Sequence, residues 1–201
     1  MKEDKGVICV AKNNTDSLVF RPIIEEKYHL SYPYVFTYYN NWYMIPESYK
    51  SGTIYLYKSI NFPYNWEKIG NIIDIDGIDS IPFMFNNNWY IFTTSEKTQE
   101  NMLFSTVNFP IGPWNLLKTS VLPKGYRGGG QAIYNEGMVI LPIQPLSKIY
   151  GSRLELYKVE DDLSFTKYIK LDAPNAASGI HHLCYDKNND FYILDLKWFQ
   201  I

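Results

Sequence analysis

The chain has 201 residues, 46% of them apolar, 20% charged and 17% aromatic, with a formal net charge of −2. This suits one globular domain with a full core and excludes a disordered or fibrous chain. The slightly acidic balance argues against nucleic acid as a partner, and no apolar run reaches the roughly 18 residues of a transmembrane segment.

In chain order, the opening MKEDKGVICVAKNN lacks the apolar stretch of a signal peptide, so the chain reads as cytoplasmic or as part of something larger. The abundance of Asn, Lys, Ile and Tyr fits an AT-rich genome, viral or low-GC microbial. Val7 to Ala11 and Leu18 to Arg21 read as two strands with no hairpin before them. Tyr34-Val35-Phe36, a polar turn and Asn41 to Ile45 then form a hairpin. The same unit returns at Phe83 to Phe85 with Asn88 to Phe92, at Ala132 to Tyr134 with Gly137 to Leu141, and at Leu183 to Tyr185 with Asp190 to Leu194. From Tyr34 to Phe83 to Ala132 to Leu183 the steps are 49, 49 and 51 residues. Third strands follow at Ile54 to Lys58, Met102 to Thr106 and Leu154 to Lys158. Trp66, Trp114 and Phe165 open fourth strands.

Four antiparallel strands per unit of about 50 residues is the arithmetic of a β-propeller blade. Residues 1–201 are thus expected to form one all-β domain, a propeller of four blades of four strands. The last blade would be shared between the C-terminal strands and the two N-terminal ones, which would remove two sheet edges. The alternative is an incomplete five-bladed propeller. No segment carries a sustained helical period. Trp42, Trp66, Trp89 and Trp114 stand at repeat positions and are expected to pack between blades.

Cys9 and Cys184 read as buried thiols of a reducing compartment. No metal motif is present. Adjacent strand residues point their rings to opposite faces, so His181 and His182 should not easily share one metal. The glycines Gly128 to Gly130 precede a strand, not a helix, which weakens a phosphate-cradle reading. No metal or other cofactor is expected.

The first strands of propeller blades begin, and the second strands end, on one face. That rule gathers Asp79, Glu47, Glu96, Arg127, Gln144, His29 and His181 at one mouth, with Tyr32, Tyr49, Tyr126 and Tyr150 around it. Carboxylates, amides and aromatic faces in such a set suit a sugar. Asp79 and Glu47 are the candidate catalytic pair. Their separation would be about 5 Å for a retaining glycosidase or roughly 6.5–9.5 Å for an inverting one. His29, Tyr32, Glu96, Arg127, Gln144, Tyr150 and His181 are the candidate substrate-binding residues.

The strings HLSYPYVF, NNWYMIPES, GIDSIPFMFNNNWYIF, GPWNL, LPIQPLSKIYGSRLELYKV and SGIHHL, in that order, resemble the N-terminal propeller domain of glucosamine inositolphosphorylceramide transferases. That family is similar in fold to the five-bladed family-43 glycoside hydrolases. The resemblance spans about residues 6–195 and implies a role in glycan or glycolipid metabolism. By motif, Tyr32 and Pro33 match SYP, Glu47 the PES glutamate, and Asp79 the acidic residue opening the next blade. Gln144, Tyr150 and Gly151 match Q-x-x-S-x-x-YG, and His181 matches G-x-H. The family pattern opens with a hairpin carrying Ala-Asp-Pro, whose aspartate parallels a hydrolase base, and no segment here matches it. Two functions therefore stand side by side. One is glycosidase-like acid/base chemistry on a glycan, glycolipid head group or nucleotide sugar. The other is a non-catalytic binding or scaffolding module serving a separate glycosyltransferase.

Overall fold

The computed structural model describes residues 5–14, 17–147, 151–173, 179–186 and 191–197. Strands β1 (Ile8–Asn14) and β2 (Ser17–Ile24) form a hairpin. Blade I follows as an antiparallel sheet of β3 (Ser31–Tyr38), β4 (Asn41–Glu47), β5 (Ile54–Asn61) and β6 (Asn65–Ile73). Blade II repeats the order with β7 (Gly77–Phe85), β8 (Asn88–Ser95), β9 (Asn101–Thr106) and β10 (Asn115–Thr119). In blade III the first strand is interrupted. Both β11 (Arg127–Gly128) and β12 (Ile133–Asn135) pair with β13 (Met138–Gln144), and β14 (Arg153–Val159) and β15 (Phe165–Asp172) complete the sheet. A final hairpin joins β16 (Gly179–Asp186) to β17 (Phe191–Lys197). Among the described residues the helical content is one 3-10 turn, Tyr49–Ser51.

The hairpins form because their turns suit the strand twist. Tyr39-Asn40, Asn86-Asn87 and Glu136-Gly137 all hold positive φ at both residues, the mirror-image two-residue turn. Burial then falls from the axis outward. Strand β7 is buried almost throughout, whereas β10 and β15 are mostly exposed. Ile81, Phe83, Phe92, Leu103, Leu141 and Ile143, each 0% exposed, join blades II and III into a central core with Tyr34 of blade I. Each such side chain contributes about 1.5–3 kcal/mol by leaving water.

A second cluster lies between blades I and II, with Trp114 against it, and Trp66 packs where the N-terminal hairpin meets blade I. Trp89 stacks on Phe109 and meets Phe36 and Tyr38 of the neighbouring blade. Trp42 departs from the expected inter-blade role: it stacks on Phe62 of its own blade. The all-β propeller architecture is as the repeat predicts. Among the described residues β1–β2 and β16–β17 each form a two-stranded sheet, and no ladder joins the two hairpins. The first packs on blade I through Ile8 and Ile24, the second on blade III through Ile180 and Leu183.

The glycine run marks a crossing. A Cβ at Gly128 would lie 2.0 Å from the Asp79 carbonyl oxygen, and one at Gly130 would lie 1.9 Å from that of Leu183. Blade III's first strand is thus squeezed between β7 and β16, which it meets through a Gly130–Leu183 bridge. Only residues without a side chain fit there.

Candidate functional site

Three inner strands leave regular geometry at the same height. The register steps from Ser31↔Glu47 to Tyr34↔Ile45, from Ile78↔Thr94 to Ile81↔Phe92, and from Ile180↔Leu196 to His182↔Asp195. Each step holds one extra residue on the inner strand, a β-bulge, which re-aims the side chains around it. Tyr32 and Asp79 sit in two of these bulges with φ of +43° and +48°. Non-glycine residues there are strained, and such strain clusters at functional sites. The bulges face one cavity of about 550 Å³ lined by Tyr32, Glu47, Asp79, Arg127, His181, His182 and Cys184 among others.

The carboxyl pair is tightly held. Asp79 is 6% exposed. Glu47 accepts a hydrogen bond from Ser31 Oγ at 2.8 Å and one from the Asp79 backbone N–H at 3.3 Å. Arg127 Nε lies 3.2 Å from Asp79 Oδ2. Burial, then the charge of Glu47, push the Asp79 carboxyl well above the usual carboxylate range, with Arg127 pulling the other way.

Tyr32 braces the opposite wall. Its hydroxyl accepts the Gly130 N–H at 2.9 Å and donates to the Gly130 carbonyl at 3.2 Å. Burial first, then the neighbouring Asp79 charge, raise its phenol well above the ordinary range, so it stays neutral. The His182 ring meets it edge-on at 5.0 Å, and His182 Nε2 lies 3.2 Å from Cys184 Sγ.

Of the candidates named from sequence, Asp79, Glu47, Tyr32, Arg127 and His181 come together here. Gln144 is buried and donates to the Gly128 carbonyl at 3.1 Å, so it supports the strand beside Arg127 without lining the cavity. Glu96 lies in the exposed turn after β8, and His29 accepts the Gly6 N–H at 2.9 Å ahead of β3. Both are outside the cavity lining. Tyr150 lies outside the described residues.

Two expectations are corrected. His181 and His182 line the same cavity because the bulge inserts an extra residue between their pairing positions. Cys9 and Cys184 are free but half-buried, and Cys184 is part of the cavity wall, its thiol pushed up by burial. Alternation along β16 would have placed His182 and Cys184 on one face together; the bulge that adds His181 has no sequence signature. Among the described residues no group of three or more His, Cys, Asp or Glu side chains could hold a metal ion.

The fold is that of the family-43 glycoside hydrolase propellers. It is similar to a thermostable family-43 glycoside hydrolase (TM-score 0.53, 16% identity, covering 72% of this chain and 54% of that one). It is also similar to an endo-arabinase from Bacteroides thetaiotaomicron (TM-score 0.58, 13% identity, 83% and 74%) and to an exo-β-1,3-galactanase from Phanerochaete chrysosporium (TM-score 0.58, 10% identity, 85% and 44%).

The chain belongs to the family described as glucosamine inositolphosphorylceramide transferase 1, N-terminal, whose model matches residues 2–182. Curated relatives of that name include one from Oryza sativa subsp. indica, 34% identical over 147 residues, and one from Arabidopsis thaliana, 28% identical over 183 residues. These alignments take in 68% and 85% of this chain but only 20% and 24% of the relatives, so the chain spans about a fifth to a quarter of their length. Among the described residues no helix is long and apolar enough to cross a membrane.

Proposed function

We propose that the polar cavity is a sugar-recognition site and not a hydrolytic centre. The observation that carries this reading is that the protein itself holds both carboxyls, Glu47 through Ser31 Oγ and the Asp79 backbone N–H, and Asp79 through Arg127. Glycosidases hold their two carboxyls about 5 Å apart, or roughly 6.5–9.5 Å apart, so that the scissile bond fits between them. Carboxyls tied into the wall in this way, with Glu47 bonded to the backbone of Asp79, leave no such free pair. The pair is flanked by Arg127 and two imidazoles, which makes a mixed donor and acceptor surface for neighbouring hydroxyls. The ligand class is a glycan, glycolipid head group or nucleotide sugar. The longer relatives bear a transferase's name, so this module would serve a glycosyltransferase elsewhere in a longer chain or in a separate protein.

The test is thermal shift and calorimetry with glucosamine, myo-inositol 1-phosphate and UDP-N-acetylglucosamine, with product analysis of every hit. At least one should stabilise the protein without being consumed. Glu47→Gln should weaken it about tenfold or more, the scale of a lost charge-assisted hydrogen bond. Product formed by the wild type and not by Asp79→Asn would replace this reading with an enzyme. No response to any of the three would remove it.

We also propose that the ring closes as four blades, the fourth built from β16–β17 and β1–β2. The support is that the two hairpins pack on opposite end blades and each contributes two of the four strands. Amide exchange should show protection of alternate residues on the free edge of β1. Exchange there at the rate of an open edge would favour the incomplete five-bladed ring.

A further inference from the structure

The same inner strands have another end, and a second cavity of about 600 Å³ lies there. Phe36, Tyr38, Tyr39, Trp42, Trp89 and Tyr134 contribute rings to its wall, and no charged residue or histidine lines it among the described residues. Blades I, II and III all take part, which makes it a cup at the propeller axis and not a groove along an edge. Along β3, Tyr32 at the polar cavity and Tyr38 at this one are about 20 Å apart, given a rise of about 3.3 Å per residue.

Two features go beyond a gap in packing. The first is that the platforms are fixed yet open. Trp42 is braced on one face by Phe62 at 4.1 Å and 15°, and Trp89 by Phe109 at 3.9 Å and 17°. Trp42 is nonetheless 39% exposed, and Met84 and Tyr134 beside it are 44% and 43% exposed. A concentrated exposed apolar patch of this kind marks an interaction site. Polar groups are fixed at its rim: Tyr134 accepts the Met84 N–H at 2.8 Å, which leaves its own proton to donate, and Gln131 is oriented by its bond to the Val35 carbonyl at 2.9 Å.

The second feature is Tyr39. It occupies the first position of a mirror-image turn at φ +45°. Asn, Asp and Gly suit that position; the corresponding turn of blade II uses Asn86 and that of blade III uses Glu136. Blade I instead carries a bulky ring there, 80% exposed, over the cup. The ring rests on that of Tyr38 at 4.3 Å yet stays largely open to solvent, which extends the aromatic wall of the cup toward a ligand.

We propose that this cup binds a neutral pyranose ring, making it a second carbohydrate subsite on the opposite mouth of the propeller. Flat rings accept the C–H face of a sugar, hydroxyl and amide edges meet its hydroxyls, and the lack of charge selects an uncharged residue. The volume falls within the range of about 300–1,000 Å³ typical of small-ligand pockets.

The experiment is saturation-transfer NMR and calorimetry with methyl β-D-glucopyranoside and methyl β-D-galactopyranoside at millimolar concentration. It is run in the wild type and in a Glu47→Gln background, which separates this cup from the polar cavity. Binding should persist in Glu47→Gln. Trp42→Ala should lower affinity about tenfold and Tyr134→Phe by a few-fold. Tyr39→Asn should weaken binding while leaving the melting temperature unchanged or raised, an outcome that a merely structural tyrosine would not give. Binding abolished by Glu47→Gln would place the sugar in the other cavity. Binding indifferent to Trp42→Ala and Tyr39→Asn, binding of a proline-rich peptide alone, or no binding at all would each overturn the proposal.

Discussion

The two mouths of this propeller are built from the same strands by opposite means. At the polar mouth, β3, β7 and β16 bulge, and the extra residues turn Tyr32, Asp79 and His181 into one cavity. At the aromatic mouth β3 and β7 are regular, and simple alternation plus tight turns present Tyr38, Trp42 and Met84. Between them the axis is closed. Tyr34 donates to the Pro82 carbonyl at 3.1 Å and accepts the Ala132 N–H at 3.0 Å, tying blade I to blades II and III. Titratable groups thus collect where the backbone is irregular, and uncharged rings collect where it is regular.

The strongest way to break this comparison is to remove its common floor. Phe83→Ala, at a site 0% exposed, should cost about 3–5 kcal/mol in urea unfolding and weaken ligand binding at both mouths together. Loss at one mouth alone would show that the two do not share a core. Tyr34→Phe should cost less, about 1–3 kcal/mol, because two buried backbone groups lose their partner while packing is kept.

Asp79→Asn sharpens the contrast through pH. Unfolded, Asp79 releases its proton near the ordinary value of 3.8, whereas folded it keeps it to higher pH. Between those values the native state binds more protons, so stability falls as pH rises through the window. Urea unfolding across that range should show a shallower fall in Asp79→Asn than in the wild type. Parallel curves would mean that Asp79 is not held protonated. The smallest stability effect is expected for Tyr39→Asn, a gain of up to about 1 kcal/mol as the strained position takes a residue that tolerates it. A loss of that size would make Tyr39 structural.

Much of this was legible beforehand. The step of 49 residues marked the blades, and the rule that first strands start where second strands end brought Asp79, Glu47, Arg127, Tyr32 and His181 to one mouth. The same rule did not separate Gln144, whose side chain turns into the strand it pairs with, from residues that reach the cavity. It also swept in Glu96, which sits just past the end of β8 and faces solvent. His182 and Cys184 were missed as wall residues because the bulge at His181 breaks strict alternation. The aromatic cup was hidden because repeated tryptophans read as packing, which is true of Trp89 and not of Trp42.

Local order in this protein follows from neighbours in the chain. Alternating apolar residues and left-handed turn pairs fix strands and hairpins within a few positions, so the repeat alone determined the all-β propeller. The site depends on groups from separate blades meeting at distances of about 3 Å, and on one-residue register shifts that re-aim them. Those follow from how the inner strands wedge together at the axis, with Gly128 and Gly130 admitting the crossing. That is why only the tertiary structure decided that Glu47 bonds the Asp79 backbone, that both histidines share a wall, and that a second cavity opens at the far mouth.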